Sequence, residues 1–201
     1  MRVLITCLIV LVVAVIGAIG FAYSGLYDVG ANSQHGKVVG WLLSTTSHAS
    51  IERRAAGIEV PDLADDKLKL AGANDFKSMC AGCHGAPGQK PEAMGRGLKP
   101  PPPDLAESAA HLTPAELFWV TKHGIKMTGM PSWGETHEDN ALWPVVAFMT
   151  ELPSLSADDY QAMLAKAAGA GHHASDGNAK GPSKAPPAHD HSTHSHDTPK
   201  K

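Results

Sequence analysis

The residues with the clearest chemical content are Cys80-Ala-Gly-Cys83-His84. Two thiols one helical turn apart can form thioether bonds to the vinyl groups of a haem, and the adjoining imidazole then reaches the iron. A bare C-x-x-C also serves as a thiol redox pair or as half of a four-cysteine zinc site. The zinc alternative needs more cysteines, and the chain has only Cys7 besides, inside an apolar leader. The attached histidine therefore favours haem. A second set of ligand-type residues lies near the C-terminus, where His189, His191, His194 and His196 stand beside Asp190 and Asp197. Imidazoles so spaced suit copper, zinc or nickel. The competing reading is a solvated low-complexity tail that takes up metal only adventitiously. His172 and His173 could join this set across a flexible linker.

Residues that do chemistry need elements to hold them. From Asp65 the pattern is helical, with Leu68, Gly72, Phe76 and Met79 on one face, and this helix runs directly into Cys80. A Gly- and Pro-rich segment follows over 82–103, too irregular for long elements. Thr113-Pro-Ala-Glu116 joins a capping residue, Pro at the first helical position and Glu three after the cap, so a helix should run from there to His123 and stop at Gly124. A second box, Thr136-x-x-Asp139, should start a helix through Leu142, Val146 and Met149, with Pro144 tolerated in its first turn and an end near Pro153. Ser156-x-x-Asp159 should open a last helix to about residue 168.

The flanks differ in kind. Residues 3–21 carry no charge, and at 1.5 Å per residue they cover about 28 Å, close to the hydrocarbon thickness of a bilayer. The run is longer than the apolar region of a cleavable signal and lacks an Ala-x-Ala-like site, so residues 1–24 read as a retained transmembrane anchor. Cys7 reads as an inert thiol within it. Arg2 before the span weakly places the N-terminus inside and the rest of the chain outside. Residues 25–64 read as a juxtamembrane stalk with a short helix, in which Arg53 and Arg54 form a solvated face or touch lipid headgroups. Residues 65–168 form the one domain able to build a core. Residues 169–201, rich in Gly, Ala, Pro, Ser, Lys and His, have too little apolar surface to fold and read as disordered. His35, His48, His111, His123 and His137 belong to no motif and read as surface or capping residues.

Around the C-x-x-C-H motif the sequence resembles the class I, single-haem cytochromes c of the membrane-anchored bacterial type. The family places Gly eight and an aromatic residue four positions before the first haem cysteine, as Gly72 and Phe76 stand here, and it packs that helix against one like Leu142-Trp-Pro-Val-Val-Ala-Phe148. Trp143, Val146 and Phe148 are the expected contacts. Lys126-Met-Thr-Gly-Met-Pro resembles the methionine-ligand loop, which implies Met130 as the sixth iron ligand, with Met127 its rival and His48 a remoter one. Pro100-Pro-Pro-Pro-Asp-Leu105 resembles the segment whose proline carbonyl accepts a hydrogen bond from the proximal imidazole, which implies that role for Pro103 and haem packing for Leu105; the alternative is a stiff polyproline spacer. The resemblance covers about residues 65–153 and implies an all-α class I cytochrome c fold around one covalent haem c.

A formal net charge of −3 sets aside nucleic-acid binding, which calls for a basic face. Aromatic content of 5% is low for a self-sufficient core and is compatible with a large apolar cofactor supplying buried surface. The expected function is one-electron transfer with no catalysis of its own, between redox partner proteins of the respiratory chain, at the periplasmic face of a bacterial inner membrane spanned once. The alternatives are a cytochrome subunit of a membrane redox enzyme and a periplasmic metal-binding protein acting through the tail histidines.

Overall fold

The computed structural model describes residues 1–33 and 35–172. His173 and the tail histidines His189, His191, His194 and His196 lie outside the described residues. All regular elements among the described residues are helical: α1 Arg2–Tyr23, α2 Lys37–Ala55, α3 Asp66–Met79, α4 Ala81–His84, α5 Ala93–Gly97, α6 Leu105–His111, α7 Pro114–His123, α8 Asp139–Met149 and α9 Ala157–Lys166, with 3-10 turns at Trp133–Glu135 and Leu152–Ser154. The fold is thus all-α, with an apolar N-terminal helix ahead of the packed helices.

Helix starts follow local chemistry. Asp65 caps α3 by accepting from the Lys67 amide at 2.9 Å. Thr113 and Glu116 form the reciprocal box at α7, with Glu116 Oε2 accepting from the Thr113 amide at 2.7 Å, and the helix stops at Gly124, whose φ is +62°. Ser156 caps α9. Each of these is a short-range bond between residues two or three apart.

Helix α8 is apolar on nearly every side, and Leu142, Val145, Val146, Ala147 and Phe148 are fully buried, so it occupies the centre of the core. Its start departs from expectation. Thr136 makes no capping box; it closes the turn Trp133–Glu135, and its hydroxyl contacts the Trp133 carbonyl and His137 Nδ1 at 3.3 and 2.8 Å. Glu138 takes the cap position instead, and Pro144 falls in the second turn of α8 rather than the first.

Helix α3 lies across α8 at that proline. A Cβ at Gly72 would sit 1.8 Å from the Pro144 carbonyl oxygen and 3.0 Å from Phe148 Cβ. Only glycine permits so close an approach of two backbones. Phe76, one turn on, meets Phe148 with ring centroids 5.0 Å apart, and Tyr160 of α9 closes the other side of Phe148 at 5.8 Å. Trp143 does not join this contact. It sits about 100° around the helix from Pro144 and stacks on Phe118 of α7, centroids 4.0 Å apart and planes 9° from parallel.

Two boundaries also shift. The helix expected to be short within the stalk is the 19-residue α2, and its C-terminal half packs on α7, burying Ile51 and Ala55. At the other end the chain stays on the domain past residue 168: Asn74 Nδ2 donates to the Ala170 carbonyl at 3.0 Å, and His172 Nδ1 lies 2.8 Å from Asp75 Oδ2.

Replacing Gly72 with Ala forces α3 and α8 apart, because the opposing atom is backbone and cannot move aside. A destabilisation of about 2 kcal/mol is expected, within the usual cost of overpacking, read as a lower denaturant midpoint of the protein relative to Gly97→Ala, which meets nothing within 4 Å.

Candidate haem-binding site

Cys80 is delivered by α3 and hands the chain on to α4. Its amide donates to the Phe76 carbonyl at 2.8 Å, and its own carbonyl accepts from the amides of Cys83 and His84 at 3.1 and 2.9 Å. The single turn so formed sets Cys80, Cys83 and His84 on one short helix, which ends at Gly85 with φ +77°. Cys80 is buried, Cys83 half-buried, and the two are free thiols rather than a disulfide. Burial, followed by the neighbouring Cys83 and Asp75, pushes the Cys80 thiol up to about 12. A thiol redox pair needs a depressed pKa and an accessible thiolate, so this environment weighs against that alternative.

His84 Nδ1 lies 2.9 Å from the Pro103 carbonyl oxygen. A carbonyl only accepts, so Nδ1 carries the proton and Nε2 holds the lone pair. Burial holds the imidazole below the ordinary histidine range, and the bond to Pro103 opposes that effect only partly. The result is a neutral, oriented imidazole, the form in which histidine binds a metal. Pro103 is itself steadied by the start of α6, where Asp104 accepts from the Ala106 amide at 2.8 Å. Leu105 opens α6 and packs, with Ala106, Ala109 and Leu112, against the core that contains Met79 and Cys80.

The methionine loop is a compact turn. Thr128 Oγ1 donates to the Ile125 carbonyl at 2.8 Å and accepts from the Met130 amide at 3.1 Å, while the Met130 carbonyl accepts from Ile125 at 3.4 Å. Met130 is half-buried, whereas Met127 is 92% exposed at a φ of +60°. A Cβ at Gly129 would come within 2.5 Å of a Leu98 methyl. The segment 98–103 therefore touches the methionine turn at one end and His84 at the other. His48 lies exposed on α2.

The donor set fits a covalently attached haem: two unpaired thiols on one turn, a neutral imidazole with its coordinating nitrogen set by Pro103, and apolar side chains beside them. Two further supports lie outside the sequence expectations. Helix α5 lies against α4 so closely that a Cβ at Gly95 would be 2.4 Å from the Cys83 carbonyl oxygen. Asp75 is buried on α3 and contacts His172, whose ring meets that of His137 edge-on at 4.8 Å. A carboxylate three residues after Gly72 on an apolar helix face signalled the need for a partner, but nothing local pointed to a residue 97 positions away.

Residues 67–149 match the family described as cytochrome C oxidase, cbb3-type, subunit III. No curated protein and no solved structure matches the chain. The matched segment runs from the first turn of α3 to the end of α8, and it is a cytochrome c domain.

Because Gly95 faces the backbone of Cys83 rather than a flexible side chain, Gly95→Ala should distort the turn that presents the thiols. The expected outcome is a several-fold lower yield of covalently haem-stained protein on a denaturing gel, with Gly97→Ala unchanged.

Proposed function

We propose that the chain is a one-electron carrier, with haem c attached through Cys80 and Cys83, His84 and Met130 as axial ligands, and α1 anchoring it to the outer face of a bacterial inner membrane. The cytochrome c domain supports haem-based electron transfer. The observation that carries the finer reading is the 2.9 Å contact of His84 Nδ1 with the Pro103 carbonyl, since it readies Nε2 as a ligand and keeps the imidazole from turning away.

Haem c supplies an iron that gains and loses one electron. The chain's part is to hold that iron unchanged in geometry. Cys80 and Cys83 would tie the group at two points, His84 would hold the iron through Nε2, and the Met130 sulfur, on the Thr128-braced turn, would supply the second protein ligand. If His84 and Met130 both held the iron, dioxygen and peroxide would find no open position on it, which would favour a carrier over an enzyme. A soft thioether also raises the reduction potential relative to harder ligands. Met130 is preferred to Met127 because a side chain almost wholly in solvent would have to bring a left-handed backbone residue inward.

Helix α1 supports the membrane placement as the one described helix long and apolar enough to cross a bilayer. Anchoring would keep the domain close to membrane-bound redox partners and raise its effective concentration there. A second reading, a cytochrome subunit of a membrane oxidase, is favoured by the description of the matching family. Binding of copper, zinc or nickel by His189, His191, His194 and His196 would be a role of the tail separate from electron transfer.

Absorption spectra of wild type and Met130→Ala test the ligand assignment. The ferric wild type should show the weak near-red sulfur-to-iron band, and the variant should lose it while its reduction potential falls by on the order of 0.1 V, a fraction of the range axial ligands command. A band that survives transfers the sixth position to another methionine, and its absence from wild type favours bis-histidine ligation or an enzyme. Gentle solubilisation separates the second reading: a carrier elutes alone, a subunit with a catalytic chain.

A further inference from the structure

Helix α2 has two apolar surfaces that point in opposite directions. Its C-terminal half buries Ile51 and Ala55, 7% and 2% exposed, against the domain. Its N-terminal half leaves Val38, Val39, Trp41, Leu42 and Leu43 in the open, at 76, 46, 66, 55 and 52% exposure. At about 100° per residue, these five spread over an arc whose centre lies about 180° around the helix from Ile51. The docking that buries Ile51 therefore turns the arc away from the chain's own core. No rotation of α2 about its axis buries both.

The surroundings of this arc identify what covers it. The chain enters α2 only a short segment after the end of α1, and Tyr23 at that end and Leu26, Tyr27 and Val29 in the segment are exposed as well. Tyrosine and tryptophan with aliphatic neighbours just beyond a span are the composition of a membrane–water boundary. Arg53 lies further along α2 on the same side as the apolar arc, about 20° from its centre, and is exposed, as is Arg54 beside it. An apolar stretch followed on the same side by a cation, Arg53, suits a helix lying in the headgroup layer of an anionic bilayer. A water-filled boundary would instead leave five large apolar side chains solvated in a row.

We infer that the N-terminal half of α2 is a second membrane attachment, lying in the outer headgroup layer with Val38, Val39, Trp41, Leu42 and Leu43 inserted and Arg53 facing lipid phosphate. This rests on α1 being the membrane anchor. The domain is then held at two sites, α1 and α2, rather than swinging freely on one tether, and because Ile51 and Ala55 join α2 to α7, the orientation of the cytochrome domain to the membrane is restricted.

The full-length haem-loaded protein, one copy per nanodisc of phosphatidylethanolamine and phosphatidylglycerol carrying a diazirine in the acyl chain, is photolysed and mapped by mass spectrometry. Labelling of residues 38–43 at about tenfold or more over α9 is expected for a helix inserted in this layer, along with strong labelling of α1. Leu42→Glu should reduce labelling of residues 38–43 several-fold with the haem spectrum unchanged, because Leu42 lies outside the core. Labelling of α1 with residues 38–43 at the level of α9 overturns the inference and leaves the anchor standing; a protein partner would then be the occupant of the arc. Absence of label from α1 itself overturns the anchor and this inference with it.

Discussion

The contact between the Gly72 backbone and the Pro144 carbonyl sets the position of Cys80, and through it the whole candidate site. Because α3 has no side chain at the crossing, it lies directly on α8, and the remaining turns of α3 have little freedom. Phe76 settles against Phe148, Met79 enters the core, and Cys80 emerges at a fixed place on the edge of a packed interior. A bulkier residue at Gly72 would act two turns away, by tilting the helix that carries the first thiol.

From that edge the site is assembled by loops that brace one another instead of by long elements. Helix α5 supports the Cys83 turn through Gly95, the Pro103 carbonyl fixes the His84 ring, and Leu98 closes on Gly129 next to Met130. Each brace is a backbone group or a small apolar contact, so few side chains of the irregular segment 82–103 need to be large. Outside the short α4 and α5 the segment gives up regular hydrogen bonding and in exchange holds residues that lie far apart in the chain. A haem bound there would add apolar contact to the core of a chain in which aromatic residues are only 5%.

The N- and C-terminal flanks are tied to the domain more closely than their composition suggests. Helix α2 docks on α7 through Ile51 and Ala55 yet keeps its other apolar surface outward, and residues 170–172 return across α3 to meet Asn74 and Asp75. Buried Asp75 would be costly without polar partners, so the return of His172 is part of what allows a carboxylate to sit inside α3.

What the sequence determined by itself was whatever depends on neighbours a few residues apart. The C-x-x-C-H turn, the caps at Thr113 and Ser156, the stop at Gly124 and the span of α1 were legible because their hydrogen bonds and periodicities close within a turn or two. The Thr136 box has the same local form and failed, because the 3-10 turn at Trp133–Glu135 claims Thr136 first. Only the tertiary structure decided that Trp143 stacks on Phe118 while Pro144 and Phe148 face α3, that α2 joins the domain, and that Asp75 meets His172. Those choices turn on which face of a helix wins the limited space beside it, a competition among residues tens of positions apart that no local pattern encodes.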